Sequence, residues 1–275
     1  MKKMSFAVWF TALLTVFSLS SCLDSDDNAT RQASEIVKVS GYMGFYTFES
    51  AGGYQIIPRN QSSLVQDISS RYAYIAYSYN GGDVTPEMKK ISVDLLGVMP
   101  INEQGVSGST ENMEDFANAP IRNITAGAGY EFFPITFWDA NTMFLPINYF
   151  IRDVSSEEDL KQEASSHSFD IFFDVNESKF KGEDLILHVR HNVRDEALNK
   201  ERNSRINTDI FHIDLSYVLS EHKAKYDRLP KHIYVEYENS LNGSYKNDEG
   251  EKLTKSTNAL IEYEEILKAI EQNKK

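Results

Sequence analysis

The stretch Tyr72-Ala73-Tyr74-Ile75-Ala76-Tyr77-Ser78-Tyr79, followed by Asn80-Gly81-Gly82-Asp83, is the strongest fold signal in the chain. Aromatic and β-branched residues favour strands, and an Asn-Gly-Gly-Asp sequence is typical of a tight turn. Similar short apolar runs lie at 36–39, 54–57 and 90–98, and Pro58 ends the second of them. Four or five short strands in about 65 residues predict a small antiparallel barrel over 35–102.

The second half of the chain carries a different pattern. Residues 103–131 are poor in apolar side chains and rich in Gly, Asn and acids, which predicts a linker or long loop. Apolar and polar residues then alternate, which is typical of half-buried antiparallel strands and predicts a β-sandwich over 132–255. The predicted strands lie at 135–138, 143–150, 169–175, 185–193, 211–219 and 233–237.

The two remaining segments of this half lack that alternation. Residues 195–205 are charged and predict a long exposed loop, whereas Leu260, Tyr263, Leu267 and Ile270 recur at helical spacing. A C-terminal amphipathic helix is therefore expected over 256–275. It could dock on the sandwich or bind a partner.

The N-terminus has the form of a bacterial lipoprotein leader. Lys2 and Lys3 precede an apolar run at 6–19, which is too short for a stable membrane span and fits a signal peptide over 1–21. The run ends in Leu19-Ser20-Ser21-Cys22, which resembles a lipobox and predicts lipidation of Cys22, the only cysteine. The alternative is an ordinary secretory signal with a chance cysteine.

The residues after Cys22 are acidic and polar, and we expect a flexible tether over 22–34. Asp24, Asp26 and Asp27 resemble the export signals that send lipoproteins of the Bacteroidetes to the cell surface. The expected location is the outer membrane with the chain exposed on the cell surface. A plain tether facing the periplasm is the alternative.

Composition excludes several classes of function. The 275 residues carry a formal charge of −13, which argues against nucleic acid as a partner because phosphate binding needs a basic face. One cysteine excludes internal disulfides and cysteine-rich metal sites. The sequence contains no phosphate-binding loop, dinucleotide fingerprint, serine-hydrolase elbow or zinc-protease motif, so no cofactor is predicted.

Two groups of residues are candidate ligand-binding sites. His188, Arg190, His212 and Asp214 lie at solvent-side positions of predicted strands and would form a polar patch if those strands were neighbours. That patch could bind a ligand or metal, or be an ordinary exposed sheet face. His191 is three residues from His188, so it lies on the opposite face of the strand, where we expect a hydrogen-bonded core histidine.

The second group is the densest aromatic stretch, formed by Tyr72, Tyr74, Tyr77 and Tyr79. Tyrosines on a barrel of this kind could form a stacking platform for sugars or peptides. The alternative is that they pack in the barrel core and across strands.

Several segments in order resemble the NigD-like lipoproteins of the Bacteroidetes. They are the lipobox with its aspartates, the tyrosine strand leading to Ile91-Ser92-Val93-Asp94-Leu95-Leu96, Ile135-Thr136-Phe137-Trp138-Asp139-Ala140 with Leu145-Pro146-Ile147-Asn148-Tyr149, and Leu185-Ile186-Leu187-His188-Val189-Arg190-His191-Asn192. The resemblance covers most of residues 1–240. It implies an OB-like N-terminal domain and an immunoglobulin-like sandwich, with a link to a bacteriocin-associated locus and no established activity. The loop at 195–205 and the helix at 257–272 depart from the family pattern.

Three functional hypotheses follow. The first is a non-enzymatic, lipid-anchored binding or accessory protein of the cell envelope, whose partner is an envelope protein, a secreted peptide or a glycan. The second is a hydrolase that acts on glycans or depends on a metal, which would need convergent polar groups. The third is an assembly subunit that uses its C-terminal helix.

Overall fold

The computed structural model describes residues 29–42, 45–60, 68–83, 88–108, 117–124, 134–194, 201–203, 205–240, 245 and 249–273. The predicted leader and Cys22 lie outside these residues. The chain divides into two compact units, Met1–Asn102 and Glu103–Lys275. Among the described residues, no helix combines the length and apolar character that crossing a bilayer requires.

The first unit is the predicted OB-like barrel. Its strands are β1 (Thr30–Tyr42), β2 (Phe45–Ser50), β3 (Gln55–Pro58), β4 (Tyr72–Asn80) and β5 (Lys90–Glu103). They neighbour each other in the order β3-β2-β1-β4-β5, and a parallel pairing of β3 with β5 closes the barrel. The other pairings are antiparallel.

Alternation along the strands fills the barrel. Val37, Phe48, Ile56, Ile75 and Val93 are buried and face one core, because every second side chain of a strand points to the same side. The prediction that 30–34 belong to a flexible tether is wrong, since β1 begins at Thr30 and pairs with β4 from there to Lys38.

The second unit is a β-rich structure with three helices. Its strands are β6 (Val106–Gly108), β7 (Ile121–Asn123), β8 (Thr136–Phe137), β9 (Thr142–Ile151), β10 (His167–Phe173), β11 (Asp184–Val193), β12 (Arg205–Asp214), β13 (His232–Asn239) and β14 (Lys255–Ile261). β9 pairs with β12, β7 and β8, whereas β13 pairs with β11 and β14, and β10 lies between β11 and β6. The segment at 103–131, predicted as a linker or loop, therefore contributes two short strands.

Two expectations about these strands are wrong. The pairs β11–β13 and β6–β10 are parallel, so the strands are not all antiparallel. All ten residues of β9 and nine of the ten of β11 are buried, so neither strand has an exposed polar face. Central strands of this kind are covered on both sides.

The helices are α1 (Glu157–Ser165), α2 (Ser216–Tyr226) and α3 (Tyr263–Asn273). α2 replaces the end of the predicted strand at 211–219. The buried residues Leu215, Val218, Leu219 and His222 recur at spacings of three and four, which is the helical period that the alternation analysis missed.

The C-terminal helix is shorter than predicted. Residues 255–261 form β14, an edge strand on which Leu260 is exposed, and the helix begins only at Tyr263. Tyr263 is fully buried and its hydroxyl donates to the Ala140 carbonyl at 2.7 Å, while Ala269 and Ile270 are also buried. The helix therefore docks on its own unit.

Candidate functional site

The tyrosines of β4 divide between the two faces of the strand, with Tyr77 and Tyr79 in the barrel core and Tyr72 and Tyr74 on the other face. Tyr72, Tyr77 and Tyr79 are buried, and half-buried Tyr74 donates to the Ser34 hydroxyl at 2.7 Å. The structure therefore does not place the four rings side by side on an exposed platform. The arrangement favours core and cross-strand packing of these residues.

One of these tyrosines takes part in a polar cluster inside the barrel. The hydroxyls of Tyr54 and Tyr77 each donate to Oε1 of Glu35 at 2.6 Å, and the two hydroxyl oxygens are 3.5 Å apart. Burial raises the pKa of the Glu35 carboxyl, and the two hydrogen bonds oppose that shift. Burial and the Glu35 charge raise the pKa of both phenols.

His188 and Arg190 are buried on β11 and share a carboxylate. The His188 imidazole lies between Glu177, 2.6 Å from Nε2, and Glu236, 3.1 Å from Nδ1. Arg190 donates to the same Glu236 oxygen at 3.3 Å. Hydrogen bonding by His188, against the opposing effect of burial, lowers the pKa of Glu236 to about 2. The prediction that His188 and Arg190 face solvent is wrong. Both side chains are buried, and their hydrogen bonds go to these carboxylates.

His212 and Asp214 lie apart from that pair. β12 pairs with β9, whereas β11 pairs with β10 and β13, so the four residues do not form one patch. His212 is buried, with its ring centroid 6.0 Å from that of Phe144. Asp214 is exposed and accepts the Ser216 N–H at 2.8 Å at the start of α2. Across the described ranges, no group of three His, Cys, Asp or Glu side chains could hold a metal ion.

One buried polar cluster of the second unit was missed by sequence reasoning. Glu163 of α1 is 1% exposed, and its carboxylate accepts from Arg152 Nε at 2.7 Å and from Arg202 Nε at 2.6 Å. Arg202 is 3% exposed, so part of the predicted exposed loop at 195–205 is buried. Burial raises the pKa of Glu163, but the two guanidinium groups outweigh it and hold the pKa at about 2.

Two histidines extend this cluster into the core. His167 Nε2 lies 3.3 Å from Glu163 Oε1, and its Nδ1 lies 2.8 Å from His191 Nε2. His191 Nδ1 lies 2.9 Å from the Pro120 carbonyl oxygen. The prediction that His191 is a hydrogen-bonded core residue on the face opposite His188 agrees with this position. The spacing of Glu163 and His167, four residues apart across a helix end, was the available sequence signal.

The two histidines make three contacts: to Glu163, to each other and to the Pro120 carbonyl. Two neutral imidazoles carry only two ring protons for these three contacts. The two protons can therefore fill two of the three contacts at a time, and the tautomers of the rings decide which two. Burial lowers the pKa of His167 to about 4 and that of His191 to about 3, which keeps both rings neutral near pH 7.

Tyr149 packs against both histidines and continues the network. Its ring centroid lies 4.7 Å from that of His167, and its hydroxyl donates to Asp209 at 2.7 Å. Asn207 donates to the same hydroxyl at 2.6 Å. The Glu163 carboxylate thus holds Arg152 and Arg202 at the centre of this buried cluster, which we call the clamp.

Comparison with known proteins places this fold among proteins of Bacteroides and related bacteria. No protein-family model matches the chain, and no curated protein matches it significantly. A solved structure of a protein assigned as a lipoprotein from Bacteroides fragilis is similar, with 25% identity, a TM-score of 0.69 and coverage of 84% of this chain and 98% of that one.

Two further solved structures show lower similarity. A NigD-like immunity protein from Bacteroides caccae matches with 14% identity, a TM-score of 0.45 and coverage of 82% and 90%. A protein of unknown function from Bacteroides vulgatus matches with 12% identity, a TM-score of 0.45 and coverage of 84% and 90%. The similarity to the Bacteroides fragilis lipoprotein, at 25% identity, agrees with the resemblance to Bacteroidetes lipoproteins predicted from the sequence.

The clamp gives a prediction about stability. Replacing Glu163 by Gln leaves two guanidinium groups facing a neutral amide, and breaking a buried ion pair in this way costs about 3–5 kcal/mol. We expect urea unfolding of E163Q to show a loss of this size. Glu157→Gln, on the exposed side of the same helix, is the matched control and should unfold like the wild type; equal stability of all three proteins would contradict the clamp.

The neutral histidines give a prediction about pH. His167 gains its proton at about pH 6.5 when unfolded but only at about 4 when folded, so folding stability is lost as pH falls between these values. The difference of about 2.5 pKa units corresponds to roughly 3 kcal/mol. His167→Gln should therefore lose less stability than the wild type between pH 7 and 4 in urea titrations. A wild type that loses less than this variant would show that the folded protein holds an imidazolium against Glu163.

Proposed function

We propose that the chain is a lipid-anchored protein of the outer membrane, displayed on the cell surface. The observation that carries the proposal is the combination of the Leu19-Ser20-Ser21-Cys22 sequence with the similarity to the Bacteroides fragilis protein, which is assigned as a lipoprotein and is covered over 98% of its length. Acyl chains on one cysteine anchor a protein stably, because each buried methylene contributes about 0.8 kcal/mol. The acidic residues after Cys22 support surface display.

We further propose that this protein binds a partner and catalyses no reaction. The described ionisable clusters support this, since Glu163, His188 and Arg190 are buried against partners of their own chain and leave no converging polar groups for a substrate. The partner would be an envelope protein, a secreted peptide or a glycan. The resemblance to NigD-like proteins adds a bacteriocin-associated accessory role as the specific form of this hypothesis.

The anchor is tested by replacing Cys22 with Ala in the full-length chain. We expect the wild type to incorporate an alkyne-tagged palmitate and the C22A variant to incorporate none, because Cys22 is the only thiol. Ser21→Ala is the matched control, since a small residue at this position should still permit processing. Labelling of C22A equal to that of the wild type would refute lipidation at this residue.

Display and binding are tested together on intact cells. A tagged wild-type chain should be cleaved by external protease before lysis, and an amine-reactive cross-linker should join it to one envelope or secreted protein in stoichiometric amount. The C22A variant should capture much less, because it is not displayed. Protection from protease until lysis would instead place the chain on the periplasmic side, and absence of any captured protein would contradict a protein partner.

A further inference from the structure

Among the described strands, one end of the barrel is incompletely closed beside Glu35. β4 pairs with β1 from Thr30 to Lys38, whereas β2 pairs with β1 only from Val37 onward. Between Thr30 and Ile36, the described strands therefore flank β1 on one side only. Glu35 alternates with the buried residues Ala33 and Val37, so its side chain lies on the inner face of β1 at this opening.

The hydrogen bonds of Glu35 are unevenly distributed over its carboxylate. Tyr54 and Tyr77 both donate to Oε1, each at 2.6 Å, a length typical of charge-assisted bonds to an ionised group. Within the described part of the chain, neither a hydrogen bond nor an ion pair involves Oε2. A half-buried carboxylate thus keeps one oxygen available for a donor that the described residues do not supply.

Aromatic rings stand beside this carboxylate. Tyr54 lies in the turn after β2, where its backbone N–H donates to the Ser50 hydroxyl at 3.3 Å. Tyr77 and Tyr79 follow each other on the inner face of β4, so Tyr79 reaches the site through its ring contact with Tyr77, with centroids 6.0 Å apart. A cation next to tyrosine rings gains from their electron-rich faces in addition to the charge pair.

We propose that Glu35, with Tyr54, Tyr77 and Tyr79, forms a binding site for a primary ammonium group. The ammonium donates to Oε2 and contacts the tyrosine rings, while the two phenols hold Oε1 and fix the carboxylate. The group is a lysine side chain or a free alkyl amine. The net charge of −13 of the whole chain adds a long-range attraction for such a cation.

The same geometry disfavours a guanidinium. Arginine binds a carboxylate best through two parallel hydrogen bonds, one to each oxygen, and Oε1 already accepts two. An ammonium is a compact charge that needs only one acceptor oxygen at a time. The site should therefore distinguish an amine from a guanidine of similar size.

This inference rests on the proposed binding function, because it names the chemistry that a partner would present. Residues 22–275 with Cys22→Ser, carrying tyrosines labelled with carbon-13, should be titrated with n-butylammonium at constant ionic strength and followed by NMR. We expect saturable shifts of the Tyr54 and Tyr77 signals. n-Butanol should give none, methylguanidinium should bind roughly tenfold more weakly, and a Gly-Lys-Gly peptide blocked at both ends should compete if the natural source is a lysine side chain.

The test variant is Glu35→Gln, which keeps a carbonyl oxygen for both phenols and removes the charge. We expect butylammonium to bind at least roughly tenfold more weakly to it. Tyr54→Phe frees one position on Oε1 and should raise the affinity for methylguanidinium relative to butylammonium, so it tests the geometry even where E35Q unfolds. Thermal unfolding measures whether E35Q and Tyr54→Phe remain folded under the conditions of the titration.

Non-saturating shifts in the wild type, equal affinity of wild type and E35Q, or tighter binding of methylguanidinium would each overturn the proposal. The titration needs neither lipid nor partner, so its failure is separate from failure of the proposed anchor. Capture of a partner on cells by the wild type and by E35Q alike would leave the binding function standing and reject a lysine of that partner as the ligand of this site.

Discussion

The buried Glu163 carboxylate ties together segments that are distant in the sequence. It joins α1 to the arginine that follows β9, to Arg202 beyond β11 and, through His167 and His191, to the Pro120 carbonyl before β7. A charge out of water is tolerated only when opposite charges and hydrogen bonds surround it. The positions of these segments in the second unit therefore depend on one another through a single anion.

The two units bury a carboxylate in different ways. Glu163 faces two guanidinium groups, which hold its pKa at about 2, whereas Glu35 in the barrel is contacted by two neutral phenols and its pKa is raised. The first environment supplies more positive charge than the carboxylate carries and suits a structural role. The second supplies hydrogen bonds from phenols but no opposite charge among the described contacts of Glu35, and that is the charge we propose an external ammonium provides.

The sequence predicts the barrel well and the second unit less well, for a physical reason. Barrel strands alternate apolar and small residues between clear turns, so local pattern determines their place. In the second unit, polar residues at alternate positions indicated exposure, but His188, Arg190 and His212 are buried next to Glu236, Glu177 and Phe144. Such partners are brought together only by the fold, and the pairing of Glu163 with Arg202, 39 residues away, has no local signature.

Because β1 begins as early as Thr30, the proposed lipid anchor at Cys22 limits the distance between the barrel and the membrane. Only eight residue steps separate Cys22 from Thr30, the first residue of the strand, and a fully extended chain covers at most about 3.3–3.6 Å per residue. Thr30 would then stay within about 29 Å of the lipid-bearing cysteine. A partner of the barrel would have to be met close to the bilayer, which favours molecules embedded in or lying on the membrane over those extending far from it.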